Sequence, residues 1–178
     1  MQRFYLPSFV LLMLILEGVA LDFLPQFLMD KDLLIVPHWM LLFLVLIAIY
    51  YDFENTYYAV LYAVIFGLMI DIVSTSVIGV YMFIYALVIY IIHGLRKVLH
   101  TNYLVAFLLA VLDVIMVDIG VYIIYFFIGI NHMQWNEYMS VRLVPTLIGN
   151  MIFFILLYPI FKGKLMKWSS DRFDSKRV

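Results

Sequence analysis

The sequence predicts an all-α integral membrane protein, a bundle of six transmembrane helices. Hydrophobic residues make up 67% of the chain and charged residues 13%, whereas soluble domains average roughly 45–50% and about 25%. Six apolar runs follow one another, and each approaches the roughly 20 residues that a helix needs to cross a hydrocarbon core of about 30 Å. The runs are continuous and do not alternate with period two, as the strands of a membrane barrel do. Helices are therefore expected, because backbone groups in lipid must be satisfied within their own segment.

These runs define the predicted spans in chain order. The first run could be a secretory signal peptide, but it exceeds the roughly 7–15 apolar residues of such signals and contains Glu17. The fifth run has 28 residues, so it is expected to tilt, kink or project from the bilayer. No segment is left for a soluble domain, and residues 1–178 are predicted to form a single transmembrane domain. The predicted helices are 4–24, 33–51, 56–73, 77–95, 103–130 and 141–161, and a tail follows at 162–178.

Basic residues predict the orientation of the spans. Six crossings place both termini on one side of the membrane, and the side with more lysine and arginine in its short loops faces the cytoplasm. Of the 11 basic residues, only Lys31 and Arg142 fall on the side away from the termini. Both termini are therefore expected in the cytoplasm, with 162–178 as a cytoplasmic tail.

The residue patterns of enzymes and metal sites are absent from the sequence. The chain has no cysteine, which excludes a thiol nucleophile and a cysteine metal site, and it has no metalloprotease or phosphate-loop motif. An intramembrane aspartyl protease needs Gly-x-Gly-Asp, whereas Met69 and Ile70 precede Asp71. The only basic cluster is a short tail, so nucleic-acid binding is not expected. The sequence predicts no catalytic, cofactor-binding or metal-binding residue.

Ionisable residues inside the spans are the candidate functional groups, because their burial is costly unless they face the bundle, a cavity or a partner. Glu17 lies in the outer half of helix 1, either as a buried structural carboxylate or as a contact to a partner or ligand. Asp71 lies near the outer end of helix 3, where it either caps the helix or serves such a contact. Gly67 lies one turn earlier on nearly the same face, where it would let another backbone approach beside Asp71.

Two further aspartates lie near the middle of helix 5. Asp113 and Asp118 are five residues apart, which places them about 140° from each other around the helix. They are therefore not expected to form a carboxylate pair. One is expected to face the interior, and the other a neighbouring helix or a partner.

Helix 6 carries its own polar residues. Arg142 lies at its outer start and is expected within salt-bridge range of Asp71 or Glu17, because pairing would offset the cost of holding both charges in low dielectric. The alternative is that Arg142 extends to the lipid head groups. Asn150 lies at the centre of this helix, between Pro145 and Pro159.

A set of short motifs runs through the chain in a fixed order. These are Leu16-Glu17 in helix 1, Phe66–Asp71, Thr75-Ser76, Gly79 and Tyr81–Phe83 around helices 3 and 4, Val98–Asn102 in the next loop, and Arg142, Pro145-Thr146 and Asn150 in helix 6. Together they resemble the MreD family of rod shape-determining membrane proteins, in the form found in Firmicutes. The resemblance extends over nearly the whole chain.

This resemblance implies a non-enzymatic scaffold of the cell-wall elongation machinery, acting in cell-shape determination and peptidoglycan synthesis at the bacterial cell membrane. MreD-like proteins pair with the bitopic protein MreC. Through that assembly they associate with MreB filaments, the glycosyltransferase RodA and a class B penicillin-binding protein. No cofactor is implied.

The same resemblance implies a fold similar to the substrate-binding component of energy-coupling-factor transporters. An alternative function is therefore to bind a small, vitamin-like substrate for a membrane transporter. In that case Glu17, Asp71 and Arg142 are expected to line an outward-facing polar cavity.

Overall fold

The computed structural model describes residues 4–20 and 33–174, and within those ranges all regular secondary structure is helical, with no strand. The all-α prediction is thus confirmed for the described residues. The last three helices contain stretches long and apolar enough to cross a membrane, namely Val80–Val98, Tyr103–Phe127 and Trp135–Arg172, whereas the first three are shorter apolar helices. The helices are α1 (Tyr5–Val19), α2 (Trp39–Tyr50), α3 (Tyr58–Ser74), α4 (Val80–Val98), α5 (Tyr103–Phe127) and α6, which joins an α-helical turn (Trp135–Glu137), a π-helical segment (Tyr138–Leu143) and a long α-helix (Val144–Asp174).

Helix α2 lies at the centre of the described helices and contacts each of the others. Its residues from Met40 to Ala48 are fully buried. A helix that is apolar on every side is typical of the core of a bundle. With 12 residues it is about 18 Å long, well short of a hydrocarbon core of about 30 Å. Both of its ends therefore lie among other helices, and their backbone groups need partners there.

Residues 33–38 approach the start of α2 as non-helical backbone. The prediction of a helix over 33–51 is therefore wrong for this first part. Pro37 gives the physical reason, because a proline disfavours the helical conformation at the residue before it. Polar side chains of α6 bond this backbone instead: the Val36 amide donates to Thr146 Oγ1 at 3.0 Å, and Asn150 Nδ2 donates to the Val36 carbonyl at 2.8 Å. Non-helical backbone is tolerated at membrane depth where protein groups satisfy it in this way.

Helix α6 begins before the predicted start at residue 141, and a proline links its first turns to the non-helical segment. The carbonyl of Val141 would normally accept the amide of the residue four positions later, but Pro145 has no N–H. The amide of Leu34 donates to that carbonyl instead, at 2.9 Å. The proline thus leaves an acceptor that the neighbouring segment uses.

The predicted tail is largely helical. Helix α6 continues to Asp174, and the burial of Leu165 and Ser169 shows that this extension packs against the other helices. The Ser169 hydroxyl donates to the carbonyl of Tyr51 at 2.8 Å, just beyond the last residue of α2. Residues 175–178 of the predicted tail lie outside the described ranges.

The other helices differ from their predicted bounds by a few residues. Helix α5 ends at Phe127 and not at 130, because Gly129 has a φ of 74°, the left-handed conformation that glycine supplies at helix C termini. Helix α1 is described up to Val19, and residues 21–24 of its predicted span lie outside the described ranges. Helices α3 and α4 begin two or three residues later than predicted.

The two ends of the described helices differ in charge. We call the end with the α2–α3 loop, Arg96 and Arg172 the basic end, and the end with His38, Asp71 and Arg142 the opposite end. At the basic end, the Arg96 guanidinium donates to the carbonyls of Ala48 and Ile49. These are among the last carbonyls of α2, which have no partner within the helix.

Asp52 joins the ends of α2 and α3 at the basic end. Its carboxylate accepts hydrogen bonds from the amides of Tyr58 and Ala59, at 3.0 and 2.9 Å. Burial raises the pKa of the Asp52 carboxyl to about 6, while these amide hydrogen bonds oppose the rise. Asp52 thereby caps α3 from outside that helix.

Candidate functional site

Asp71 caps a helix to which it does not belong. It is fully buried in α3, and its oxygens accept hydrogen bonds from the amides of Gly79, Tyr81 and Met82 at 2.9–3.0 Å. These amides lie at the start of α4, where the first N–H groups lack partners within the helix and the helix dipole favours a negative charge. The charge of Asp71 is therefore used inside the protein, to fix α3 against α4. The structural alternative from the sequence was that Asp71 caps its own helix. In the structure it caps the following helix, α4.

Gly67 and Gly79 shape the same junction. A Cβ atom at position 67 would lie 2.8 Å from the Cα of Met82, so the close approach predicted beside Asp71 is confirmed. Gly79 precedes α4 with a φ of 104°, a conformation that glycine adopts without the steric cost of a Cβ. The two glycines allow the start of α4 to reach the carboxylate.

Glu17 caps α2 in a similar way but is less enclosed. Its Oε2 accepts a hydrogen bond from the amide of Met40, in the first turn of α2, at 3.0 Å. Asp71, Asp113 and Asp118 are fully buried, whereas Glu17 is only partly buried. Its side chain also lines a groove of about 490 Å³ between α1, α3 and the non-helical segment before α2.

Arg142 pairs with Asp118. Its Nε and Nη2 atoms donate to Asp118 Oδ1 at 3.1 and 3.0 Å, and the Tyr138 hydroxyl donates to Oδ2 at 2.7 Å. The prediction that Arg142 would contact Asp71 or Glu17 is wrong in its choice of partner. Those two carboxylates accept helix amides, while Asp118 on α5 faces the start of α6.

The π-helical segment of α6 contains both residues that bind Asp118. Tyr138 opens this segment and Arg142 lies near its end. Short π-helical segments within α-helices are rare and are frequently found at functional sites. Here the segment directs a hydroxyl and a guanidinium from one helix to the two oxygens of one carboxylate.

His38 connects this cluster to α2 and α4. Its Nδ1 lies 3.0 Å from the Tyr85 hydroxyl, and its Nε2 lies 3.9 Å from Asp118 Oδ1. Its backbone amide donates to Asn150 Oδ1 at 2.7 Å. Asn150 thus binds the non-helical segment through both ends of its amide group. His38, Tyr85 and Asp118 are all buried, whereas the Arg142 side chain keeps 21% of its surface exposed.

Asp113 is the exception among the candidates. It is fully buried, and neither of its carboxyl oxygens has a hydrogen-bond partner among the described residues. It contributes to no cap and no ion pair in those ranges. The structure therefore places Asp113 and Asp118 in different surroundings, with partners from α6 only at Asp118.

Several residues of the cluster were not candidates from the sequence. His38, Tyr85 and Tyr138 look like ordinary interface or core residues in apolar runs. Pro37 was the sequence feature that could have indicated this site. A proline disfavours helix at the residue before it, and the backbone groups left without helical partners can then bind side chains. Within the described residues, no group of three His, Cys, Asp or Glu side chains could hold a metal ion.

Comparison with known proteins gives one family. A model of that family, described as rod shape-determining protein MreD, matches residues 2–168. The rod shape-determining protein MreD of Bacillus subtilis (strain 168) is 32% identical over 174 residues, which cover 98% of this chain and 99% of that protein. No solved structure matches the chain significantly. The family match spans all the candidate residues from Glu17 to Asn150.

Proposed function

Because the chain belongs to the MreD family of rod shape-determining proteins, we propose that it is a non-enzymatic membrane scaffold of the cell-wall elongation machinery. The observation that carries this proposal is the use of its polar groups. Asp71, Asp118, Arg142 and Asn150 bind other parts of the same chain, and their hydrogen bonds fix helices against each other. Such an arrangement supports a rigid docking body better than it supports catalysis.

The proposed partner is the bitopic protein MreC. Through that pair, the chain would associate with RodA, a class B penicillin-binding protein and MreB filaments in peptidoglycan synthesis. The exposed apolar side chains along the helices, such as Phe83, Leu104 and Phe127, suit contacts with lipid or with transmembrane helices of other proteins. No cofactor and no nucleic acid is required by this function.

Co-purification tests the scaffold proposal. The full chain would be co-expressed with MreC of the same organism and extracted in mild detergent. We expect MreC to be retained on the tagged chain, with an unrelated bitopic protein of equal expression as the control. Retention of both proteins alike, or of neither, would refute the proposal.

We further propose six membrane crossings with the basic end in the cytoplasm. The supporting pattern is the positive-inside bias and the position of Arg96 and Arg172 at one end of the described helices. The chain has no cysteine, so single cysteines can be labelled with an impermeant thiol reagent. We expect Glu137→Cys to react in intact cells and Glu54→Cys to react only after permeabilisation. The reverse pattern would reject this orientation.

Binding of a small, vitamin-like ligand is the second candidate function. The groove beside Glu17, at about 490 Å³, falls within the roughly 300–1,000 Å³ of ligand pockets. Against it, Asp71 and Arg142, which the sequence suggested as further lining residues, bind helix amides and Asp118. Thermal-shift measurements on the purified chain with a panel of vitamins would decide: stabilisation by one compound supports this function, and none is expected. The implied likeness of fold to energy-coupling-factor components stays a prediction.

A further inference from the structure

A groove runs along the outside of the described helices at the opposite end. One wall is α1, through Leu11, Ile15 and Gly18, and the other is α3, through Met69 and Val73. Residues 36–37 of the non-helical segment line it as well. Leu11, Ile15 and Val73 are exposed, so the groove faces the surroundings of the protein and is not enclosed by the described helices.

Glu17 gives this groove a polar group that an acyl chain cannot satisfy. A carboxylate has about four lone-pair positions for hydrogen bonds, and the start of α2 supplies the Met40 amide at 3.0 Å. The partly buried side chain also lines the groove. Since a charged or unsatisfied polar group in hydrocarbon is costly, an occupant that donates a hydrogen bond fits better than a lipid tail.

The α1 wall of the groove is long enough for two turns of a partner helix. From Leu11 to Gly18 the α1 wall is about 10 Å long, at 1.5 Å per residue, which is two helical turns. A partner helix packed against this wall would have its axis about 8–10 Å from the axis of α1. Gly18 is exposed, and a Cβ atom there would meet no atom of the described residues within 4 Å. The end of the groove beside Glu17 therefore has room for a side chain from another molecule.

We propose that this groove is the docking site for a transmembrane helix of a partner protein. The helix would be apolar and would carry one hydrogen-bond donor at the depth of Glu17. This inference rests on the proposed function, in which the bitopic MreC supplies such a helix. It adds the surface on which that helix binds and the residue that recognises it.

Filling the groove is the first test. Gly18→Leu adds a side chain at the groove, at a position where its Cβ atom meets no described residue within 4 Å, and Gly94→Leu is the matched control. Gly94 is likewise helical and exposed, and a Cβ atom there also meets nothing within 4 Å. We expect Gly18→Leu to reduce co-purified MreC by at least about tenfold, equivalent to about 1.4 kcal/mol of binding free energy. Gly94→Leu should leave it unchanged, and neither variant should lower the melting temperature of the parent.

Disulfide crosslinking is the second test and does not depend on a loss of binding. Ile15→Cys and Val73→Cys line the groove, whereas Ile152→Cys lies on α6 outside the groove, with an exposure close to that of Ile15. With single cysteines along the MreC transmembrane helix, we expect crosslinks at the two groove positions and none at Ile152→Cys.

The outcomes separate this inference from the proposed function. If the parent chain does not retain MreC at all, the proposed function fails and the groove proposal fails with it. If the parent and Gly18→Leu retain MreC equally, or crosslinks form only at Ile152→Cys, the groove is not the docking site while the scaffold function stands. Displacement of a bound lipid by Gly18→Leu, with MreC retained, would equally overturn the docking proposal.

Discussion

Asp118 and Asp113 lie on the same helix and are both fully buried, yet their surroundings are opposite. Asp118 accepts hydrogen bonds from Arg142 and Tyr138 and lies near His38, whereas Asp113 has no hydrogen-bond partner among the described residues. Burial is therefore a poor guide to the role of a carboxyl group inside this protein. What decides the role is whether another element directs donors at it.

Three further carboxyl groups have partners from another element, in this case backbone amides. Asp52, Asp71 and Glu17 each accept amides at the start of a helix to which they do not belong. Short helices such as α2 end inside the protein, so their terminal backbone groups need partners from neighbours. These carboxylates supply them, and each such bond also fixes one helix relative to another.

Removal of the Arg142 side chain should have the largest effect. In Arg142→Met the Asp118 charge stays buried without its guanidinium, and breaking a buried pair in this way costs about 3–5 kcal/mol. Thermal unfolding in detergent would measure the loss. The double variant Arg142→Met/Asp118→Leu should recover part of it, because no unpaired charge is left. An additive double variant would show that the two residues are not coupled.

Gly67→Ala should have the next largest effect. The added Cβ would lie 2.8 Å from the Cα of Met82, and overpacking against backbone costs about 1–3 kcal/mol. Gly94→Ala is the control, because its Cβ meets no neighbour within 4 Å and alanine favours helix by about 1 kcal/mol over glycine. Equal melting temperatures for the two variants would contradict the close packing of α3 on α4.

Asp71→Asn should have a smaller effect. Asparagine keeps one acceptor oxygen for the three amides at the start of α4 and loses the charge that the helix dipole favours. A loss of about 0.5–2 kcal/mol is expected, the range for removal of a helix cap. Chemical unfolding would measure it, and MreC retention should persist under conditions where the variant is folded. Loss of MreC from a folded variant would instead give Asp71 a direct role in partner binding.

The sequence predicted local features better than it predicted which distant side chains contact each other. The apolar runs predicted helices, and Gly67 beside Asp71 predicted a close approach, because both depend on residues near each other in the chain. The partner of Arg142 depends on the rotation and depth of α5 and α6, which composition does not determine. Pro37 and Pro145 were visible, but the bonds that they permit between residues 33–38 and α6 join positions more than 100 residues apart.

The comparison of Asp118→Leu with Asp113→Leu tests the central claim most directly, since leucine removes the carboxyl group at each position. Under identical detergent conditions, Asp118→Leu should lower the unfolding free energy by about 3–5 kcal/mol, because it leaves Arg142 unpaired. Asp113→Leu should leave the unfolding free energy unchanged or raise it by up to about 3 kcal/mol, because a buried carboxyl group without a hydrogen bond is costly. Equal losses in the two variants would contradict the claim that partners, and not burial, decide what these groups do.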